Sequence, residues 1–298
     1  MNPLPLCDGG PSLSPIVAGA WRMAEWGWTA QQRLRWIEEC VALGLTSFDH
    51  ADIYGGYTVE TLFGEGLALQ PGLRAQLQLV SKCGIRLVAP ARPSHRARCY
   101  DTSAAHITLS VDNSLRALGT GYLDLLLLHR PDFLLDADAV ARTFEALRTA
   151  GKVRHFGVSN FTPAQFDLLD ARIPLATNQV ELHPLHRDAL HDGTLDQAQR
   201  LRRRPMIWSP LAGGRLMAGT DEVARRVQDC LRLLAAQRGE PVATIAYAWL
   251  LRLPSRPVPI AGTRRIEALR EAIRARAVEL TPEEWYAVWQ AGAGRDIP

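Results

Sequence analysis

Short apolar runs of strand length alternate along this chain with segments of helical period. PIVAG (15–19) precedes a helical pattern over 30–43, opened by Thr29 and Gln32 as a Thr-x-x-Gln capping box. TSF (46–48) precedes a helix over 59–69, and LQLVS (77–81) one over 104–118, where Ile107, Val111, Ser114, Leu115 and Leu118 form a single stripe. YLDLLLL (122–128) leads to a helix over 137–150, and VRHFGV (153–158) to one opened by Thr162, Pro163 and Gln165. ATNQV (176–180), PMIW (205–208) and VPI (258–260) continue the alternation, and Thr281, Pro282 and Glu284 open a last helix.

Eight such units predict a parallel sheet, and near-continuous apolar runs such as LLLL fit strands covered on both faces. An open doubly wound sheet and a closed (β/α)8 barrel both satisfy the pattern. The open dinucleotide-binding sheet carries G-x-G-x-x-G after its first strand; here Gly19, Ala20 and Trp21 follow instead. Regular spacing without a linker favours an α/β fold of the closed-barrel kind, one domain over residues 1–298. The Arg- and Pro-rich stretch 84–103 breaks the spacing and reads as a long functional loop.

Composition narrows the class further. The chain has 298 residues, 47% hydrophobic and 22% charged, which excludes disordered, collagen-like and disulfide-scaffold proteins. A net charge of +3 from 34 basic and 31 acidic residues gives no electrostatic case for nucleic acid or a membrane surface as partner. The opening MNPLPLCDGGPSL lacks the basic and apolar regions of a signal peptide, and no apolar run is long enough to span a bilayer. Five dispersed cysteines without a CxxC pair read as reduced thiols, so a cytoplasmic location is expected. Only two basic residues are lysines, Lys82 and Lys152. A chain that otherwise uses arginine retains lysine where a compact charge of adjustable pKa is needed, or by chance.

In a barrel the site lies at the C-terminal strand ends. There the chain places Asp49, Asp52 and Tyr54 after TSF, Lys82 after LQLVS, and His129 after LLLL. Ser159 and Asn160 follow FGV, Gln179 lies within NQVE, Ser209 and Pro210 follow MIW, and Gly262, Thr263, Arg264 and Arg265 follow VPI. Singly these are caps, rim aromatics or solvated charges; Asp, Tyr, Lys and His converging on one mouth are not. An ammonium about 4 Å from a phenol favours phenolate by roughly 4 kcal/mol at an effective dielectric of 20, about three pKa units before desolvation is subtracted. Asp49 would hold Lys82 charged, His129 would polarise a carbonyl oxygen, and the set suits proton delivery to an oxygen gaining charge. No side chain carries a hydride, so carbonyl reduction requires a nicotinamide coenzyme.

FDHADIYGG, LVSKCG, YLDLLLLHRPD, GVSNF, NQVELHP, WSPLAGG and PIAGT together resemble the aldo-keto reductase superfamily from about residue 10 to the end, nearest to bacterial oxidoreductases of the YdhF kind. The resemblance implies an NADP(H)-dependent reductase of aldehydes or ketones on a (β/α)8 TIM barrel. Its catalytic tetrad falls on Asp49, Tyr54, Lys82 and His129, with Tyr54 as general acid. It implies nicotinamide contacts at Ser159, Asn160 and Gln179, a stacking ring at Trp208, and a pyrophosphate lining of Ser209, Pro210, Leu211 and Gly213. Gly262, Thr263, Arg264 and Arg265 would hold the adenosine 2′-phosphate. Gly19, Ala20, Trp21 and Ile260 complete the expected coenzyme wall. The family pattern is broken at Ala268 and Ala272, where Arg270 and Glu271 stand as compensating contacts. Independently of the resemblance, Arg264 and Arg265 open a helix with apolar Ile266, Leu269 and Ile273, and a helix N-terminus with guanidiniums forms an anion site.

A small carbonyl compound is the expected partner, met by Trp21, Tyr54 and His129; the sequence sets no oligomeric state. Among the aromatics near strands 1 and 2 (Trp21, Trp26, Trp28, Tyr57), Trp21 is the expected apolar substrate wall. His183, His186 and His191 lack the convergent carboxylate or thiol partners of a metal site, so no metal is expected. Arg86, Arg92, Arg96 and Arg98 either bind an anionic substrate or are solvated. Trp285 and Trp289 read as core. Two rival functions are a non-catalytic NADP(H)-binding regulatory or redox-sensing subunit and a metal-dependent hydrolase.

Overall fold

The computed structural model describes residues 2–297. Eight strands form the frame: β1 (Val17–Gly19), β2 (Ser47–Asp49), β3 (Gln78–Cys83), β4 (Leu123–Leu128), β5 (Val153–Ser159), β6 (Leu175–Glu181), β7 (Met206–Trp208) and β8 (Val258–Ala261). They pair in parallel in chain order, and β8 returns to β1 with Ile260 beside Val17 and Ala261 beside Ala18. That closure removes the open-sheet alternative. Around the ring run α1 (Ala30–Ala42), α2 (Val59–Ala68), α3 (Ala104–Leu118), α4 (Ala137–Thr149), α5 (Pro163–Asp170) and α6 (Thr194–Arg200). Three helices, α7 (Arg215–Ala218), α8 (Glu222–Arg238) and α9 (Val242–Leu251), fill the β7–β8 crossover, and α10 (Ile266–Arg274) and α11 (Pro282–Ala293) follow β8.

The helix starts expected from sequence hold in detail. Thr29, Thr162 and Thr281 each accept a hydrogen bond from the N3 backbone N–H, and the side-chain oxygens of Gln32, Gln165 and Glu284 accept one from the cap's own N–H. Pleating sorts the strand residues into two cores. Val17, Val80, Leu125, Leu127, Met206, Val258 and Ile260 fill the barrel interior, whereas Phe48, Leu79, Leu126 and Leu128 face the helices. Both faces are therefore dry, which is why LLLL lacks a polar alternation. At β5 the interior is so tight that a Cβ on Gly157 would lie 2.7 Å from Leu127 Cδ2 and 2.8 Å from the Thr177 carbonyl oxygen.

Two short antiparallel pairings lie outside the ring. Leu4–Pro5 pairs antiparallel with Ser12–Leu13, and Leu6 and Leu13, fully buried, join the interior core from the N-terminal end of the barrel. The Arg204 N–H, just before β7, donates to the Leu6 carbonyl at 2.7 Å and ties this plug to the rim. The 84–103 segment leaves β3 as an arm closed by antiparallel pairing of Ile85–Arg86 with Cys99–Tyr100. No helix among the described residues is long and apolar enough to cross a membrane. Trp249 and Trp285 stack and exchange indole-to-carbonyl hydrogen bonds, and Trp289 is buried, as expected of core.

Candidate active site

Strand parity aims the polar side chains. On β3, Val80 points inward, so Lys82 does too, while Ser81 turns out to donate to Glu60 Oε1 on α2 at 2.5 Å. On β4, Leu125 and Leu127 point inward, which carries His129 into the mouth. On β6 a register shift between Leu175 and Asn178 inverts parity, so Ala176 and Gln179 both face the interior.

These side chains converge. Lys82 Nζ donates to Asp49 Oδ2 at 2.7 Å, to the His50 carbonyl at 2.8 Å and to Tyr54 Oη at 3.0 Å, which uses all three ammonium protons. Gln179 Nε2 donates to Asp49 Oδ1 at 2.9 Å, so both carboxylate oxygens are held. The Tyr54 and His129 rings meet edge-on at 5.9 Å. Lys82 is 1% exposed, the environment in which charge is costly unless paired. The other lysine, Lys152, makes a half-exposed ion pair with Asp112 and has no part in the site.

Burial lowers the Lys82 pKa, but Asp49 and Tyr54 more than offset this and leave it above the ordinary lysine value. Burial, then Lys82 and Arg130, hold His129 well below its ordinary value, so the imidazole is neutral. Tyr54 corrects the sequence reading. Desolvation outweighs the pull of Lys82, and the phenol stands above its ordinary pKa rather than below it.

A cavity of about 950 Å3 opens at this end of the barrel, within the size range of small-molecule sites. Tyr54, His129, Trp21 and Asp49 line one part of it. Ser159, Asn160, Gln179 and half-buried Trp208 line the wall beside them. Asn160 is fixed at both ends, donating to Ser159 Oγ at 2.7 Å and accepting from Trp208 Nε1 at 3.0 Å. Ser159 Oγ donates to the Gln179 main-chain carbonyl at 2.8 Å; the Gln179 amide is held through Nε2, and its Oε1 has no partner among the described residues. Ser209, Pro210, Leu211 and Gly213 follow, then Gly19, Ile260, Gly262, Thr263, Arg265 and Glu271. Ser209, Ala212, Gly213 and Gly214 all have positive φ, and the Ala212 and Gly214 N–H groups close turns onto the Ser209 and Leu211 carbonyls at 2.7 and 2.9 Å.

Three expected residues lie elsewhere. Ala20 is fully buried and does not line the cavity. Arg264 is exposed and outside the lining. Arg270 is also outside it and meets Glu267 at 3.6 Å, because Ala268 and Glu271 occupy the helix face that lines the cavity. Trp26 and Trp28 pack onto each other and, through Trp36, onto the core. Among residues missed, Ile53, Ile85, Leu87, Arg22 and Arg130 line the mouth, and of the four loop arginines weighed for an anionic substrate Arg98 alone joins them. Arg130 was legible, since it directly follows the strand-end histidine. His183 is occupied, with Nε2 3.0 Å from Glu181 and Nδ1 accepting from the Leu185 N–H, and no metal-binding cluster occurs among the described residues.

An eight-stranded parallel barrel with a Lys–Asp pair touching a half-buried tyrosine at its C-terminal mouth defines an oxidoreductase of one class: the chain belongs to the aldo/keto reductase family, whose family model matches residues 15–292. Members of this family act on small-molecule carbonyl compounds with nicotinamide coenzymes. The chain is 49% identical over 292 residues to the oxidoreductase YdhF of Escherichia coli (strain K12), covering 97% of each. It is 41% identical over 288 residues to a 6-dehydroglucose reductase of Agrobacterium fabrum, covering 96% of each. Among solved structures, a glycerol dehydrogenase from Gluconobacter oxydans superposes with a TM-score of 0.83 at 26% identity, over 96% of this chain and 93% of that one.

Proposed function

We propose that this protein uses NADPH to reduce the carbonyl of a small aldehyde or ketone to an alcohol, with Tyr54 delivering the proton to oxygen. The observation that carries this reading is the Lys82 ammonium held 2.7 Å from Asp49 and 3.0 Å from the Tyr54 hydroxyl at the cavity wall. The lining fits a nicotinamide dinucleotide. Trp208 offers a ring face, Gln179 Oε1 an unsatisfied acceptor for a carboxamide, the Gly213 N–H a backbone donor for a pyrophosphate, and Arg265 with the start of α10 a cationic end for a 2′-phosphate. When bound, the coenzyme supplies the two reducing electrons that no side chain holds.

The protein's own part is the proton. Burial keeps Tyr54 protonated in the resting site. As the substrate oxygen gains charge, the phenol proton moves to it, and the phenolate left behind lies within hydrogen-bond reach of Lys82. At an effective dielectric of 20 that pairing contributes about 4 kcal/mol, none of it needed while the phenol is neutral. Neutral His129, with its proton on Nε2, leaves the enclosed and unpartnered Nδ1 as a bare lone pair and donates to the same oxygen. Asp49 keeps Lys82 charged and aimed. One relative is named for 6-dehydroglucose, so hydroxylated aldehydes belong in the substrate panel.

The test is Tyr54→Phe. NADPH binding, followed by fluorescence titration, stays nearly unchanged, and turnover falls by about 100-fold or more on the aldehyde the parent reduces best. Parent-like turnover in the variant would remove Tyr54 as the proton source.

A further inference from the structure

The cavity is cationic in a way that coenzyme binding does not account for. Four arginines line it: Arg22, Arg98, Arg130 and Arg265. Arg22 donates to the Gly213 carbonyl at 3.0 Å, and Arg265 stands after β8 at the end assigned above to the 2′-phosphate. Arg98 belongs to the arm after β3, and Arg130 follows β4 immediately after His129. In the closed ring β4 is four strands from β8, so Arg130 and Arg265 lie on opposite sides of the mouth. No one bound anion at the Arg265 end serves both.

Neither Arg98 nor Arg130 has a hydrogen-bond or ion-pair partner among the described residues. Of the other loop arginines, Arg86 pairs with Asp101 at 3.3 Å, Arg92 lies over the Tyr57 ring at 4.7 Å, and Arg96, exposed and likewise without a partner among the described residues, does not line the cavity. Arg130 is half-buried, with its guanidinium carbon 5.5 Å from the Trp208 ring centroid. Glu181 is the carboxylate whose charge reaches Arg130, but its Oε1 is engaged by His183 and it does not line the cavity. The two guanidiniums act on each other as like charges, and Arg130 acts on both Tyr54 and His129. Two unneutralised cations beside a proton donor, one of them partly desolvated, are unfavourable until an anion joins them. Ile53, Ile85 and Leu87 supply apolar wall on the same side.

The geometry points, on the carbonyl-reducing reading above, to a substrate that carries a carboxylate: an oxo acid whose carbonyl lies at Tyr54 and His129 and whose acid group lies between Arg98 and Arg130. The pair positions substrate and takes no part in proton transfer.

The probe is 5-oxopentanoate against its methyl ester, with NADPH and with NADH. The parent has the higher kcat/KM on the acid, and 0.5 M salt lowers that value while leaving the ester's nearly unchanged. In Arg130→Gln and in the Arg98→Gln/Arg130→Gln pair, the acid-to-ester ratio of kcat/KM falls by about 10- to 100-fold, chiefly through KM. Glutarate, which cannot be reduced, binds the parent more tightly than glutaramide by isothermal titration, with or without NADP+, and the double variant loses that difference. A parent that treats acid and ester alike, or prefers the ester, overturns the proposal and leaves carbonyl reduction standing. If neither compound is reduced with either coenzyme while another aldehyde of the panel is, the oxo-acid proposal is overturned; if no aldehyde of the panel is reduced, the reductase reading fails, and the glutarate titration alone decides whether the arginine pair is an anion site.

Discussion

Behind Lys82, between β3 and the helices, sit two carboxyls and an imidazole that the chemistry does not use. Asp52 is enclosed with Oδ1 unpartnered, and burial together with the charge of Glu60 pushes its pKa up to about 8. Burial raises Glu60 as well, against hydrogen bonds from Ser81 and Ser114, while burial and Lys82 pull His50 down to about 3. Native Asp52 thus keeps its proton in a range where the unfolded chain, with an ordinary carboxyl, has released it. Between about pH 4 and pH 8 the folded state binds the extra proton, and through this group stability falls as pH rises. Asp52→Asn removes that slope. Relative to the parent, its unfolding free energy in urea should rise between pH 5 and pH 8.5 by about 4 kcal/mol. A difference that stays flat with pH would mean that Asp52 is ionised in the native protein. Residue types at strand ends were enough to pick out Asp49, Tyr54, Lys82 and His129. The state of Tyr54 was not legible, because it depends on how much water the neighbouring elements exclude, a quantity no single residue carries.

Whole elements explain which arginine after β8 reaches the cavity. Arg265 is the N-cap of α10, yet its side chain makes no capping hydrogen bond, and its own N–H donates to Thr263 Oγ1 at 3.1 Å. The guanidinium has no hydrogen-bond or ion-pair partner among the described residues and stands at the helix N-terminus, where the dipole adds its own attraction for an external anion. Arg264, one residue earlier, lies outside the cavity lining. Arg265→Ala should raise the Kd for NADPH by about 10-fold and that for NADH much less, whereas Arg264→Ala should change both little; fluorescence titration of the two coenzymes separates the cases. Equal losses for both coenzymes would place the 2′-phosphate elsewhere. Capping boxes and helical stripes were readable because their signals are local. The inversion of parity in β6 was not, since it comes from pairing with β5, and the side of α10 on which Arg270 falls was fixed only once Ala268 and Glu271 were seen to face the cavity.

At the scale of the molecule, chemistry and closure occupy opposite ends of one barrel. All eight strands point their C-terminal ends toward the cavity, and the β-hairpin of residues 4–13 stops the other end. The eight-unit count was visible in the sequence. The hairpin was not, because strands of two residues are too short to show a period, and its role depends on Leu6 and Leu13 meeting residues far along the chain. Both leucines are fully buried against the interior layer that includes Val17, Val80 and Met206. Truncating a buried leucine to alanine costs about 2–5 kcal/mol, and two in one cluster share part of the resulting cavity, so Leu6→Ala with Leu13→Ala should destabilise by at least about 3 kcal/mol. The ring is a single closed hydrogen-bonded unit, so that loss should appear as one lowered transition in both far-ultraviolet dichroism and tryptophan fluorescence. Well below that transition, the Kd for NADPH and the kcat on a good aldehyde should match the parent, because the layers of Val80, Leu125 and Leu127 lie between the plug and Lys82. A variant that kept its stability but lost coenzyme affinity would show that the two ends are coupled through the strands, and that the plug belongs to the site.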